Sequence, residues 1–132
     1  MISENNNFEI IDRRHSPRFR VDYLANISSS FENIFATVID ISENGIGIIL
    51  PKEFYVGDQI NVSISSDLYQ EKKPDLIKFN INMETEIVWI KKDDDKNMFR
   101  AGLKIISMEK EDLKKLRDHV NNLVDESLIK DQ

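Results

Sequence analysis

Hydrophobic and polar residues alternate with a period of two along most of this chain, and the period changes once, after Ser107. Val21, Tyr23, Ala25 and Ile27 alternate with more polar neighbours, the pattern of a strand with one buried face. Residues 34–42 form a β-branched run that predicts a second strand. Asn44-Gly45 then predicts a tight turn, with Gly45 free to take a positive φ, and Ile46 to Leu50 returns as a third strand. Pro51 ends it, and a turn at Gly57-Asp58 leads into the alternating Ile60, Val62 and Ile64. Residues 66–76 are polar, contain Lys72-Lys73-Pro74 and predict a loop. Ile77, Phe79, Ile81 and Met83 open a long strand that continues through Ile87-Val88-Trp89-Ile90, with Trp89 expected in the core. The run at 91–97 predicts a hairpin tip, and Phe99, Ala101, Leu103 and Ile105 alternate on the last strand.

Beyond Ser107 the apolar residues Leu113, Leu116, Val120 and Leu123 recur at helical spacing. Ser107 suits an N-cap, and Glu109, Glu111 and Asp112 would sit in the first turn, where the helix dipole favours acids. This predicts a helix from about Met108 to about Leu128, its apolar stripe packed on the strands. His119 is expected on its surface. The fold class is therefore mainly β: a small six-stranded antiparallel β-barrel with a C-terminal α-helix. Residues 1–12 read as a flexible N-terminal arm, 13–107 as the barrel with an Arg-rich loop at 13–20, and 108–132 as the helix and tail.

Composition narrows the function. Cysteine is absent, which excludes thiol chemistry, Cys-ligated zinc and disulfides, and two histidines leave little for a metal site. The net charge of −6 argues against a bulk nucleic-acid binder. No signal peptide or membrane-length apolar run is visible, so a cytoplasmic protein without direct membrane insertion is expected. The basic residues are unevenly placed. Four of the six Arg, namely Arg13, Arg14, Arg18 and Arg20, fall within eight residues that contain no acid, leaving the remainder at −10. Guanidinium groups bind phosphates bidentately and stack on flat rings, which lysines do not.

Two short elements carry candidate chemistry. Arg14 and Arg18 are four residues apart, about 13–14 Å when extended, so they can reach two phosphates or ring faces of one compact ligand. Asp40 and Ser42 are two apart on an otherwise apolar strand and are expected to share one face. An acceptor-only carboxylate beside a hydroxyl suits the donor-rich edge of a guanine, and Gly45 permits close backbone approach. Each element alone also has a plain structural reading: a solvated charged loop, and a polar strand end beside a hairpin.

Taken together the two elements resemble the PilZ domain, a receptor module for the bacterial second messenger cyclic di-GMP. Arg14-x-x-x-Arg18 matches the family's N-terminal Arg pair, and Asp40-x-Ser42-x-x-Gly45 matches its second motif in order and spacing. Val88-Trp89, the Gly57 turn and Phe99-x-x-Gly102 match its later strands, so the resemblance covers roughly residues 12–107. It implies a split barrel in which Arg14 and Arg18 bind the phosphates and stack on the guanines of cyclic di-GMP. Asp40 and Ser42 would contact a guanine while Gly45 keeps the floor open. Arg13 precedes the first motif Arg, and a basic residue there implies an intercalated dimer of the ligand. The partners implied are cyclic di-GMP and an unidentified protein effector, with no metal and no DNA or RNA.

Other candidates carry less. Asp93-x-Asp95-x-Asn97 begins like an EF-hand loop but has Met98 and Lys104 where that loop needs Gly and Glu. His15 lies within the Arg loop, and neither it nor His119 has a partner at hydrolase spacing, so no enzyme is expected. The reading is a receptor that turns second-messenger level into a changed protein contact in motility, adhesion or exopolysaccharide control. The alternative is an adaptor of the same fold that binds no nucleotide and acts constitutively.

Overall fold

The computed structural model describes residues 18–30, 32–70, 73–93 and 97–130. Six strands run in order: β1 (Phe19–Ser28), β2 (Asn33–Ile41), β3 (Gly45–Leu50), β4 (Gln59–Gln70), β5 (Lys73–Asp93) and β6 (Met98–Ser107). One helix follows, α1 (Lys110–Lys130). The strands pair antiparallel into a closed barrel with neighbour order β1-β2-β3-β6-β5-β4. Closure leaves the barrel wall without an open edge.

The inward positions are the alternating apolar residues. Val38, Ile41, Ile46, Ile48, Leu50, Val62 and Ile87 are fully buried, joined by Ile27, Ile64, Ile81 and Leu103. β-branched side chains pack well on a pleated surface, and burying each contributes roughly 1.5–3 kcal/mol. Thr85 is the polar residue within this core, and its hydroxyl donates 2.9 Å to the Ile60 carbonyl. Leu116 and Val120 of α1 belong to the same core, with Leu123 packed against it, so the helical stripe lies on the barrel as its spacing predicts.

Several expectations are corrected. Residues 66–70 and 73–76 are strand rather than loop: β4 continues to Gln70 and β5 begins at Lys73, paired through Leu68↔Ile77 and Tyr69↔Leu76. The hairpin partner satisfies the backbone of each strand, and strand formation needs no apolar alternation. Lys91, Lys92 and Asp93 belong to β5 rather than to the hairpin tip, where Asn97 takes a φ of 55°. Ser107 does not cap the helix. It closes β6 opposite Glu84, and α1 starts later, at Lys110, with Glu111 and Asp112 in its first turn.

Trp89 is not in the core but half exposed. A bulge between Ile87 and Trp89 inserts Val88 and reverses the inward–outward phase, which a strict period of two does not anticipate. His119 is not a surface residue. Its Nε2 lies 2.5 Å from the Tyr23 hydroxyl and its ring 4.5 Å from that of Phe79, and burial holds the imidazole below its ordinary value of 6.5. The Gly57 turn stands as expected, with φ 94° and Asp58 N–H donating to the Tyr55 carbonyl at 2.9 Å.

Candidate functional site

The second motif lies where β2 turns into β3. The loop residues are Ser42, Glu43 and Asn44, and Ser42 N–H donates to the Gly45 carbonyl at 3.0 Å. The Ser42 hydroxyl is 2% exposed, donates to that same carbonyl at 3.0 Å and accepts from Gly45 N–H at 3.1 Å. It also accepts from Asn44 N–H at 3.3 Å. Ser42 and Asp40 therefore do not share a face. Ser42 stands one residue past the strand, where alternation no longer applies, and its hydroxyl locks the turn.

Gly45 differs from expectation as well. Among the described residues the positive φ values belong to Asn97 and Gly57, not to Gly45. Glycine is required here by close approach: a Cβ would stand 2.5 Å from the Leu103 carbonyl oxygen and 3.4 Å from the Arg18 guanidinium.

Arg18 comes to this turn from the start of β1. Its Nη1 lies 2.5 Å from Asp40 Oδ1, with the two side chains 53% and 30% exposed. The carboxylate lies directly over Gly47, where any Cβ would overlap it. Gly47 pairs with Gly102 on β6, and a Cβ on Gly102 would overlap the Trp89 indole. Residues paired across a sheet project from one face. Arg20↔Asp40, Asp40↔Gly47, Gly47↔Gly102 and Gly102↔Trp89 thus form one row across five strands on the outside of the barrel.

This row is a shallow platform. Two glycines form its floor, a cation–carboxylate pair stands at one end, and a half-exposed indole lies at the other. Such a surface can accept hydrogen-bond donors at Asp40, offer donors from Arg18, and stack a flat ring on Trp89. Arg18, Asp40 and Gly45 are brought together; Arg20 joins them as Asp40's exposed cross-strand partner. Arg13 and Arg14 lie outside the described residues.

Spacing along the chain does not group Gly47, Gly102 and the outward Trp89, which lie on three different strands. A signal for the first exists in the sequence: Gly45-Ile46-Gly47 puts two glycines on one face of a strand, a mark of close approach by something else. Arg117 Nε of α1 reaches Glu43 Oε1 at 3.2 Å, so the helix contacts the same loop. Among the described residues no cluster of His, Asp and Glu is arranged to hold a metal ion, and no helix is long and apolar enough to cross a membrane.

The PilZ domain family model matches residues 12–122. The chain belongs to the PilZ domain family. The PilZ fold is shared with solved structures of low identity. One is the Bacillus subtilis inhibitor of motility MotI/DgrA, at 21% identity and TM-score 0.67, with 91% of this chain and 53% of that one covered. The PilZ domain of Escherichia coli YcgR with cyclic di-GMP matches at 16% identity and TM-score 0.61, covering 89% and 96%. The Klebsiella pneumoniae MrkH–cyclic di-GMP complex matches at 15% identity and TM-score 0.64, covering 91% and 56%. The chain thus spans about half the length of MotI/DgrA and MrkH, and nearly all of the isolated YcgR domain. No curated protein matches the sequence.

Proposed function

We propose that this PilZ protein is a cyclic di-GMP receptor, without catalytic activity, that converts ligand occupancy into a changed contact with another protein. The observation that carries the reading is the Arg18–Asp40 pair set over the Gly45 and Gly47 backbone beside Trp89. The ligand offers two guanines and two phosphates. Asp40 accepts from the N–H edge of a guanine. Arg18 gives up the carboxylate for a phosphate or a ring face, with Arg14 and Arg13 supplying further guanidinium groups. An exposed ion pair contributes only about 0–1 kcal/mol, so exchanging it for ligand contacts costs little. Ser42 serves by holding the turn. Relatives whose structures contain cyclic di-GMP support the ligand class.

A lost charged hydrogen bond costs about 1.5–3 kcal/mol, or roughly 10- to 150-fold in affinity. Isothermal titration with cyclic di-GMP is therefore expected to show at least tenfold weaker binding for each of Arg14→Ala, Arg18→Ala and Asp40→Ala. Unchanged affinity in all three variants overturns the reading. Absence of any thermal shift at saturating cyclic di-GMP in the unaltered protein points instead to an adaptor that binds no nucleotide. The stoichiometry in the same titration decides between one ligand and an intercalated pair.

A further inference from the structure

The outer face of two neighbouring strands forms a small tile around Gly45 and Gly47. β3 and β6 pair there through Gly45↔Lys104 and Gly47↔Gly102, with no register shift between the pairs. Residues two apart on a strand share a face, so all four positions look outward, away from the buried Ile46 and Leu103. Directly opposite residues stand about 5 Å apart and successive outward positions about 7 Å apart, so the whole tile faces a single ligand. Three of its four positions are glycine. The Arg18 guanidinium reaches over Gly45, the Asp40 carboxylate lies over Gly47, and the Trp89 indole lies over Gly102. Lys104 is the position that carries a side chain of its own, and it is exposed. Glu86 faces it from β5, yet no ion pair joins the two among the described residues.

Two cations therefore flank the space over Gly45. A Cβ on that glycine would stand 3.4 Å from Arg18 Nη2, and the Lys104 side chain rises directly opposite, from β6. Like charges set side by side repel, and an anion between them turns that repulsion into attraction. Arg18 is already engaged by Asp40, whereas Lys104 has no acid partner among the described residues. We propose that Lys104 is a further ligand-binding residue, its ammonium meeting a phosphate of cyclic di-GMP over Gly45, opposite Arg18. The proposal deepens the receptor reading and rests on it. Charge divides the tile. Asp40, at the Gly47 end, is acceptor-only: it takes the N–H edge of a guanine and repels a phosphate. Lys104, at the Gly45 end, offers three donors and no acceptor on a flexible stem, the reverse preference. Base and phosphate are thereby sorted to opposite ends of one tile. The body outside the Arg-rich segment carries −10, so an anionic ligand enters against that field and depends on each local cation.

Isothermal titration of the full chain with cyclic di-GMP tests the assignment. Lys104→Ala and Lys104→Gln are each expected to weaken binding about tenfold, while Lys104→Arg, which keeps the charge, stays close to the unaltered protein. Glu86→Gln is expected to bind at least as tightly, because the acid facing the ammonium is gone. The melting temperature of ligand-free Lys104→Ala should hold, since the side chain is exposed. Phosphorus NMR resonances of the bound ligand are expected to differ between the unaltered protein and Lys104→Gln. The assignment is overturned if Lys104→Ala binds as tightly as the unaltered protein, or if Lys104→Arg loses as much as Lys104→Ala. It is also overturned if the phosphorus resonances stay in place while a guanine imino proton moves. A loss in Glu86→Gln equal to that in Lys104→Ala overturns it as well, since Lys104 then serves a pair with Glu86. In each of these cases the losses in Arg18→Ala and Asp40→Ala still stand, and only the role of Lys104 falls. If the unaltered protein takes up no cyclic di-GMP, the receptor reading falls and this assignment with it.

Discussion

The proposed ligand face and the helix junction are built on the same barrel wall by opposite means. On the ligand face, Arg18 and Asp40 are exposed, joined by one ion pair, and lie on glycine backbone that offers no side-chain grip. At the junction, Leu116 and Val120 are buried, and the Tyr23–His119 pair packs against the Phe79 ring. β1 serves both, with Arg20 turned outward to Asp40 and Tyr23 turned inward to the helix across the bulge between them. Exposed charges are held weakly and exchange partners readily, whereas a buried apolar stripe resists any change of partner. The comparison separates a face suited to being rewritten by a ligand from one suited to holding the fold while that happens.

The largest expected effect breaks the junction. Leu116→Ala deletes a fully buried side chain and is expected to destabilise the protein by about 2–5 kcal/mol in urea unfolding, with little change in cyclic di-GMP affinity of the folded protein. A result in which affinity collapsed and stability held would reverse the division drawn here. Next in size is Trp89→Ala on the ligand face, expected to weaken cyclic di-GMP binding by about 1–3 kcal/mol if a base stacks on the indole. Its melting temperature should barely move, because half of the ring is already in water.

The smallest expected effect concerns proton uptake at the junction. Burial lowers the folded-state pKa of His119 below the ordinary 6.5, so the unfolded chain binds the proton first as pH falls. The stabilisation from neutral His119 is complete above about pH 6.5 and declines below it, until the folded form also protonates. Melting curves between pH 7.5 and 5 should show this decline, and His119→Gln should lack that share of it. An unaltered pH profile in His119→Gln would show that the junction tolerates the charge.

Alternation and turn residues were enough to read the strands, the barrel and the helix, because a period of two and a period of 3.6 each bury one face. The long β4–β5 hairpin escaped that reading. Its outer part is mostly polar in sequence, and the backbone bonds that pair it carry no side-chain signature. Type and spacing mark Arg18, Asp40 and Gly45 as candidates, whereas strict alternation places Trp89 on the inner side. One inserted residue, Val88, reverses every later phase on a strand, and local sequence does not announce it.

The chain by itself determined which residues are apolar and how often they recur, hence the elements, the family motifs and the collection of arginine at 13–20. Only the tertiary structure decided how the strands register. Register alone brings Asp40, Gly47, Gly102 and Trp89 from four strands into one row, and seats the turn made by Ser42 beneath Arg18. Spacing along a chain constrains neighbours a few residues apart. Residues separated by some 20 to 60 positions meet only when closure of the barrel and its bulges set which backbone groups pair.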